Sequence, residues 1–237
     1  MRKSLFLKMW VLLTASVFLV SCIDDDVDHI GFGDAFVVVK KSGDSVVKGL
    51  GLHAFSYSDF ASVSVATPVS GADTIRMETY ENYKQEFFWE TPAEQFGTTQ
   101  PQAGDYVFSA VFKDGKKLVF SNKLTSGSIL PPVIKRIEYV ISGDKVDAEW
   151  EKVVDADAYN VRLVDEEGKA LFISSELNSF STNYSFGKNN NGWLTSTYPT
   201  NGQHLTVIVS AFLLESDSSG GRIQAISRAE GGIVWGN

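Results

Sequence analysis

The chain has 237 residues, with 21 Lys and Arg against 29 Asp and Glu, for a formal net charge of −8. That acidic balance repels phosphate backbones and argues against nucleic acid as a partner. A single cysteine excludes an internal disulfide, and the length suits one large or two ordinary domains.

At the N-terminus Arg2, Lys3 and Lys8 make a basic start, and residues 9–20 follow without a charge. As a helix that run would be about 18 Å long, well short of a hydrocarbon core of about 30 Å. A short apolar stretch behind a basic start reads as a cleaved export signal. No other segment reaches 18 uncharged apolar residues, so no further span is expected.

Leu19, Val20, Ser21 and Cys22 come next. This tetrad resembles the lipobox of bacterial lipoproteins. The resemblance implies cleavage before Cys22, a thioether lipid on its sulfur, and a membrane as the chain's partner through that lipid. Loss of residues 1–21 removes Arg2, Lys3 and Lys8 but no acidic residue, which takes the net charge from −8 to −11. Asp24, Asp25, Asp26 and Asp28 follow, and residues 22–33 read as a solvated acidic tether. The same run resembles the export signal behind the acylated cysteine in Bacteroides-type surface lipoproteins. It implies display on the outer face of the outer membrane, with a periplasm-facing anchor as the alternative.

The remainder predicts an all-β chain, because short alternating or apolar runs end repeatedly on Gly, Asp, Asn or Ser. In the first half, strands are expected over residues 35–40, 46–55, 62–67, 74–78, 83–90, 104–113 and 116–123. Tyr106, Phe108, Ala110 and Phe112 share one face, and Asp114-Gly115 then supplies a hairpin turn, since glycine accepts the positive φ it needs. Ser126-Gly127-Ser128 reads as a flexible connector, stiffened by Pro131-Pro132. Two domains follow from it, over residues 34–128 and 131–235.

In the second half, Val146, Ala148 and Trp150 alternate, then Ala158, Tyr159, Val161 and Leu163, with Asn160 and Arg162 pointing the other way. Leu205, Val207, Val209 and Ala211 form a later strand. This spacing resembles a fibronectin type III domain, and implies a β-sandwich with Trp150 and Tyr159 between its sheets. Leu205 stands where that family has the tyrosine of its corner, so this corner must be lost or rebuilt. Pro101, Gly104, Asp105 and Tyr106 give the first half a weaker likeness to the corner of Ig-like domains. Together the halves resemble the tandem Ig-like, fibronectin-like sandwiches of Bacteroides-type surface lipoproteins.

Catalytic and cofactor motifs are absent from the sequence, so no enzyme and no cofactor is expected. His29, His53 and His204 are too scattered for a zinc motif. There is no Gly-x-Ser-x-Gly elbow, and Gly31-Phe32-Gly33 lacks the third glycine of a phosphate loop. Asp155 and Asp157 read as a solvated turn rather than half of a calcium site.

The candidate ligand-binding residues are aromatics in polar loops. Asn190, Asn191, Trp193 and Tyr198 lie in a long amide-rich connection, where an exposed indole would stack on a sugar or meet a protein partner. The alternative is that Trp193 plugs the end of the sandwich. Tyr80 and Tyr83 form a second pair, next to Phe87 and Trp89, which share a strand face. The expected function is a lipid-anchored, non-enzymatic surface protein that binds or adheres. A glycan-binding accessory of polysaccharide uptake and a structural spacer are the alternatives.

Overall fold

The computed structural model describes residues 29–80, 83–216 and 222–236. Cys22, the signal and the acidic run at residues 24–28 lie outside the described residues. In chain order the strands are β1 (Gly31–Ser42), β2 (Ser45–Ser56), β3 (Phe60–Ala66), β4 (Ile75–Arg76), β5 (Glu78–Tyr80), β6 (Tyr83–Glu90), β7 (Gly104–Phe112), β8 (Lys117–Leu124), β9 (Ile134–Val140), β10 (Lys145–Trp150), β11 (Ala158–Val164), β12 (Ala170–Ile173), β13 (Leu177–Asn178), β14 (Asn183–Gly187), β15 (His204–Leu214) and β16 (Ile223–Val234). Two single-turn 3₁₀ segments are the only helices among the described residues. All seven strands expected in the first half are present, displaced by a few residues at their ends, and the expected stretch at 74–78 divides into β4 and β5.

A nine-stranded sheet runs in the order β12-β11-β15-β16-β1-β2-β6-β5, with β13 also paired to β11. It spans both halves of the sequence. The join is β1 against β16, a parallel pair in which Val37 opposes Ala225 and Lys40 opposes Arg228. Its cause is legible in β1, where Phe36, Val37, Val38 and Val39 are apolar without a break and all four are buried. Alternate residues of a strand leave by opposite faces, so such a run suits a central strand covered on both sides.

One face of the large sheet carries two smaller sheets. The first, β4-β3-β7-β8, covers the N-terminal half, and the second, β14-β10-β9, covers the C-terminal half. A continuous apolar core fills the gaps. Val37, Leu52 and Phe87 meet Val65, Phe108 and Phe112 on one side, and Tyr159, Val161 and Val207 meet Val146, Trp150 and Phe186 on the other. The fold is therefore an all-β sandwich whose two halves share a sheet. Phe108 lies flat on the backbone of Gly33, where an added Cβ would come within 2.6 Å of the ring. The Gly31-Phe32-Gly33 glycines thus serve close packing.

Trp150 and Tyr159 are fully buried, with ring centroids 5.6 Å apart, as the alternation implied. The Tyr106 hydroxyl donates to the Gln102 carbonyl at 2.9 Å, which is the tyrosine corner anticipated in the first half. At Leu205 the corner is rebuilt from main chain: Gly202 N–H donates to the Trp235 carbonyl, and Trp235 N–H to that of Gln203.

Two expectations are corrected. The connector is pinned rather than flexible, because the Gln224 amide accepts from Thr125 and donates to the carbonyls of Thr125 and Gly127. Ile129, Pro131 and Pro132 are buried beside it. The tether ends before residue 33, since β1 begins at Gly31 and His29 stacks on Phe112 with centroids 3.9 Å apart. His29 also bonds Ser58 and Asp114, so the chain is docked from this residue onward.

Candidate functional site

The amide-rich loop folds onto the body. Ile173 N–H donates to the Gly192 carbonyl, and Leu194 N–H to that of Leu171, so residues 192–194 are stitched along β12. Trp193 is thereby laid edge-on against Phe172, Phe186 and Trp235, and its Nε1 donates to the Gly187 carbonyl at 3.1 Å. Of the two readings of Trp193, exposed platform and end plug, this is the plug: a half-buried ring with its N–H engaged. Asn190 accepts the Gly187 N–H and caps the turn, whereas Asn191 is exposed. Tyr198 is 46% exposed, and its ring stands edge-on to Trp193. Asp155 adopts a positive φ of 64°, and the Asp157 carboxylate accepts the Leu214 N–H, so both belong to a structural turn. No cluster of three potential metal ligands occurs among the described residues.

Tyr80 and Tyr83 fare differently. Tyr83 is 60% exposed, while Tyr80 packs edge-on to Phe88 and borders a cavity of about 480 Å³. That cavity lies on the face of the nine-stranded sheet opposite the sandwich core. Its wall includes Ile173 on β12 and Tyr80 on β5, the two ends of the sheet path. In a flat sheet those strands would stand about 34 Å apart, seven steps of about 4.8 Å. Both can border one cavity only because the sheet curls toward this face and forms a trough.

An ion pair spans the trough. Arg228 Nη1 on β16 donates to both Glu90 oxygens on β6, at 2.8 and 3.1 Å. Two other strands, β1 and β2, lie between β16 and β6 in the sheet. The floor is apolar: Phe36, Phe88, Phe212 and Ile226 sit there, and Gly51 leaves room for the Phe36 ring against the backbone.

Several polar groups face this floor without full satisfaction. Asp34 accepts the Ile223 N–H through Oδ2 at 2.9 Å, while its Oδ1 is buried without a partner. Burial pushes its carboxyl up to about 7, helped by Glu215 and opposed by the Ile223 hydrogen bond and Arg222. Asn160 Oδ1, Arg162 Nε and Arg228 Nε are also buried without partners. Burial, with Arg228 nearby, holds the Arg162 guanidinium below its usual value. His53 opposes Asp34 across the β1–β2 ladder, and burial lowers its imidazole while Glu86, 3.9 Å away, acts to raise it.

Beyond His53 on the same face lies Phe55, which with Phe32 and Tyr57 forms a mutually packed aromatic group. Phe32 is 43% and Tyr57 74% exposed. Sequence reasoning placed Asn160 and Arg162 on the face away from the core but assigned them no role. Tyr80 was singled out as a candidate, and the remaining trough residues gave no local signal, because they meet only through the curl.

No family model matches the chain, and no curated protein matches it. Among solved structures it is similar to a fibronectin type III-like protein from Clostridium thermocellum, at 20% identity over 46% of this chain and 93% of that one, with a TM-score of 0.30. It is also similar to a tetra-tandem repeat from the extending region of a large adhesion protein, at 15% identity over 86% and 50% of the two chains, with a TM-score of 0.24. A third is Tp47, the 47-kilodalton lipoprotein of Treponema pallidum, at 12% identity over 84% and 50%, with a TM-score of 0.28.

Proposed function

We propose that this chain is a lipid-anchored, non-enzymatic binding protein of the cell surface, and that the trough of the nine-stranded sheet is its ligand site. The carrying observation is the trough itself: an apolar floor of rings bordered by buried polar atoms without partners, within the size range of small-molecule sites. Each such atom costs about 1–3 kcal/mol when left alone, and those of Asp34, Asn160, Arg162 and Arg228 share this one wall, a cost that a bound ligand would offset. Half-buried Phe55 with exposed Phe32 and Tyr57 extends the apolar surface out of the trough, which suits a ligand larger than the cavity or attached to something larger.

The anchor rests on Cys22 and the sequence around it. Cys22→Ala is expected to move the chain from the membrane fraction to the soluble fraction, or to block its processing. Unchanged membrane retention would overturn the anchor. Binding is tested with the neutral fluorophore N-phenyl-1-naphthylamine on the purified chain from Cys22 onward, which contains every described residue. One molecule per chain is expected, lost in Ser210→Trp and in the rim variant Ile173→Trp at unchanged melting temperature. Binding that survives both substitutions, or none in the parent chain, would overturn the trough as a site.

A further inference from the structure

One cation in the trough is left without a partner, and it describes a ligand. Glu90 is engaged by the guanidinium of Arg228 through both oxygens. The Arg162 side chain, on the adjoining part of the same face, makes no hydrogen bond or ion pair with the described residues, and its Nε is buried. Its charge is felt by Arg228, Tyr80 and Glu90, but none lies close enough to pair with it. Glu90 is thus taken by Arg228, and Glu86 lies 3.9 Å from His53, which leaves Arg162 as the guanidinium of this wall without a carboxylate partner. A desolvated charge without a partner costs several kcal/mol, and a bound anion would relieve that cost.

Resting on the reading of the trough as a ligand site, we propose that it takes a small amphiphilic carboxylate, with the carboxylate on Arg162 and an apolar body along Phe36, Phe88 and Phe212. A planar guanidinium offers two parallel N–H groups that match the two carboxylate oxygens. One uncompensated cation calls for one negative charge. A phosphate monoester, with close to two, would meet repulsion from Glu86 and Glu90 in the same wall. The body follows from the floor, where Ile173, Ile223 and Ile226 join the three phenylalanine rings. A sugar would need hydroxyl partners along its length, and this floor is mainly hydrocarbon.

The test is calorimetric titration of the chain from Cys22 onward with decanoate and, separately, decanol, both below their aggregation limits. The expected result is one decanoate per chain, at least tenfold tighter than decanol. Arg162→Gln should weaken decanoate at least tenfold and leave decanol within twofold, with the melting temperature retained. Should Arg162→Gln unfold, Arg162→Lys replaces it, which keeps a charge but loses the fork; it should bind decanoate more weakly than the parent. Equal affinity for the two probes, with no effect of either substitution, would overturn the carboxylate assignment. If the neutral fluorophore still binds in the trough in that case, the ligand site itself stands. Loss of fluorophore binding as well would remove both.

Discussion

The buried carboxyl of Asp34 should make the fold less stable as pH rises through neutrality, and Asp34→Asn should abolish that dependence. In the folded chain the group keeps its proton to about pH 7, whereas an unfolded chain releases it near 3.8. Between those values the unfolded state binds fewer protons than the folded state, so unfolding becomes easier as pH rises, and the effect levels off above about 7. At about 1.36 kcal/mol per tenfold change in proton affinity, the full loss is about 4 kcal/mol, an upper bound because water in the trough would solvate the ionised form. An asparagine in its place retains the shape and can still accept the Ile223 N–H, yet never ionises. His53 acts in the opposite sense, since burial lowers its affinity for a proton, and stability from it is lost as pH falls through 6.5. Asp114, Asp144 and Asp147 have lowered values, and their contribution disappears only as pH falls through and below about 4. These groups are common to both chains, so the difference between them isolates Asp34. Urea unfolding followed by tryptophan fluorescence at pH 4.5, 6, 7 and 8.5 measures it. The variant should gain on the parent by about 2–4 kcal/mol across that range. A difference that stays flat to within about 0.5 kcal/mol would refute the reasoning.

Three further outcomes follow from packing. Tyr106→Phe removes the corner hydrogen bond to the Gln102 carbonyl without opening a cavity, and should cost about 1 kcal/mol in urea unfolding. Gly51→Ala places a methyl group inside the Phe36 ring and should cost about 1–3 kcal/mol, partly recovered when Phe36→Leu is added. Trp193→Ala should cost about 2–3 kcal/mol, because the ring is a half-buried plug, while Tyr198→Ala should cost under about 0.5 kcal/mol. Equal, small effects of the last two would restore Trp193 as an exposed binding platform.

The elements were legible in the sequence because their signals are local. Tyr106, Phe108, Ala110 and Phe112 alternate with Val107, Ser109 and Val111, and all four of the first set are buried in β7. The same period separated Val161 and Leu163 from Asn160 and Arg162, so the face that carries the site was readable even though the site was not. The trough needs residues from β1, β2, β5, β6, β11, β12, β15 and β16 on one concave face, and curl is a property of the whole sheet. Trp193 was open between platform and plug for a related reason: its amide-rich flanks suit exposure, and only the hydrogen bonds of residues 192–194 with β12 draw the indole inward. The connector at residues 126–128 reads as flexible from Ser and Gly alone, and it is fixed by residues distant in sequence: Gln224 on Gly127, Gln100 on Ser126 and Lys48 on Ser128.

The pairing of β1 with β16 also orders events in time. The Ile223 N–H that meets Asp34 lies 189 residues further along the chain. β1 can form its hairpin with β2 early, but its other edge stays open until β16, the last described strand, exists. That edge carries Phe36 to Val39, an apolar run of the type that recruits foreign strands when left exposed. Contacts of such separation form slowly, because the intervening chain must first be brought together. Assembly of this sheet is therefore a closing step rather than a seed, and a chain interrupted before β16 is left with an adhesive edge at the centre of its fold.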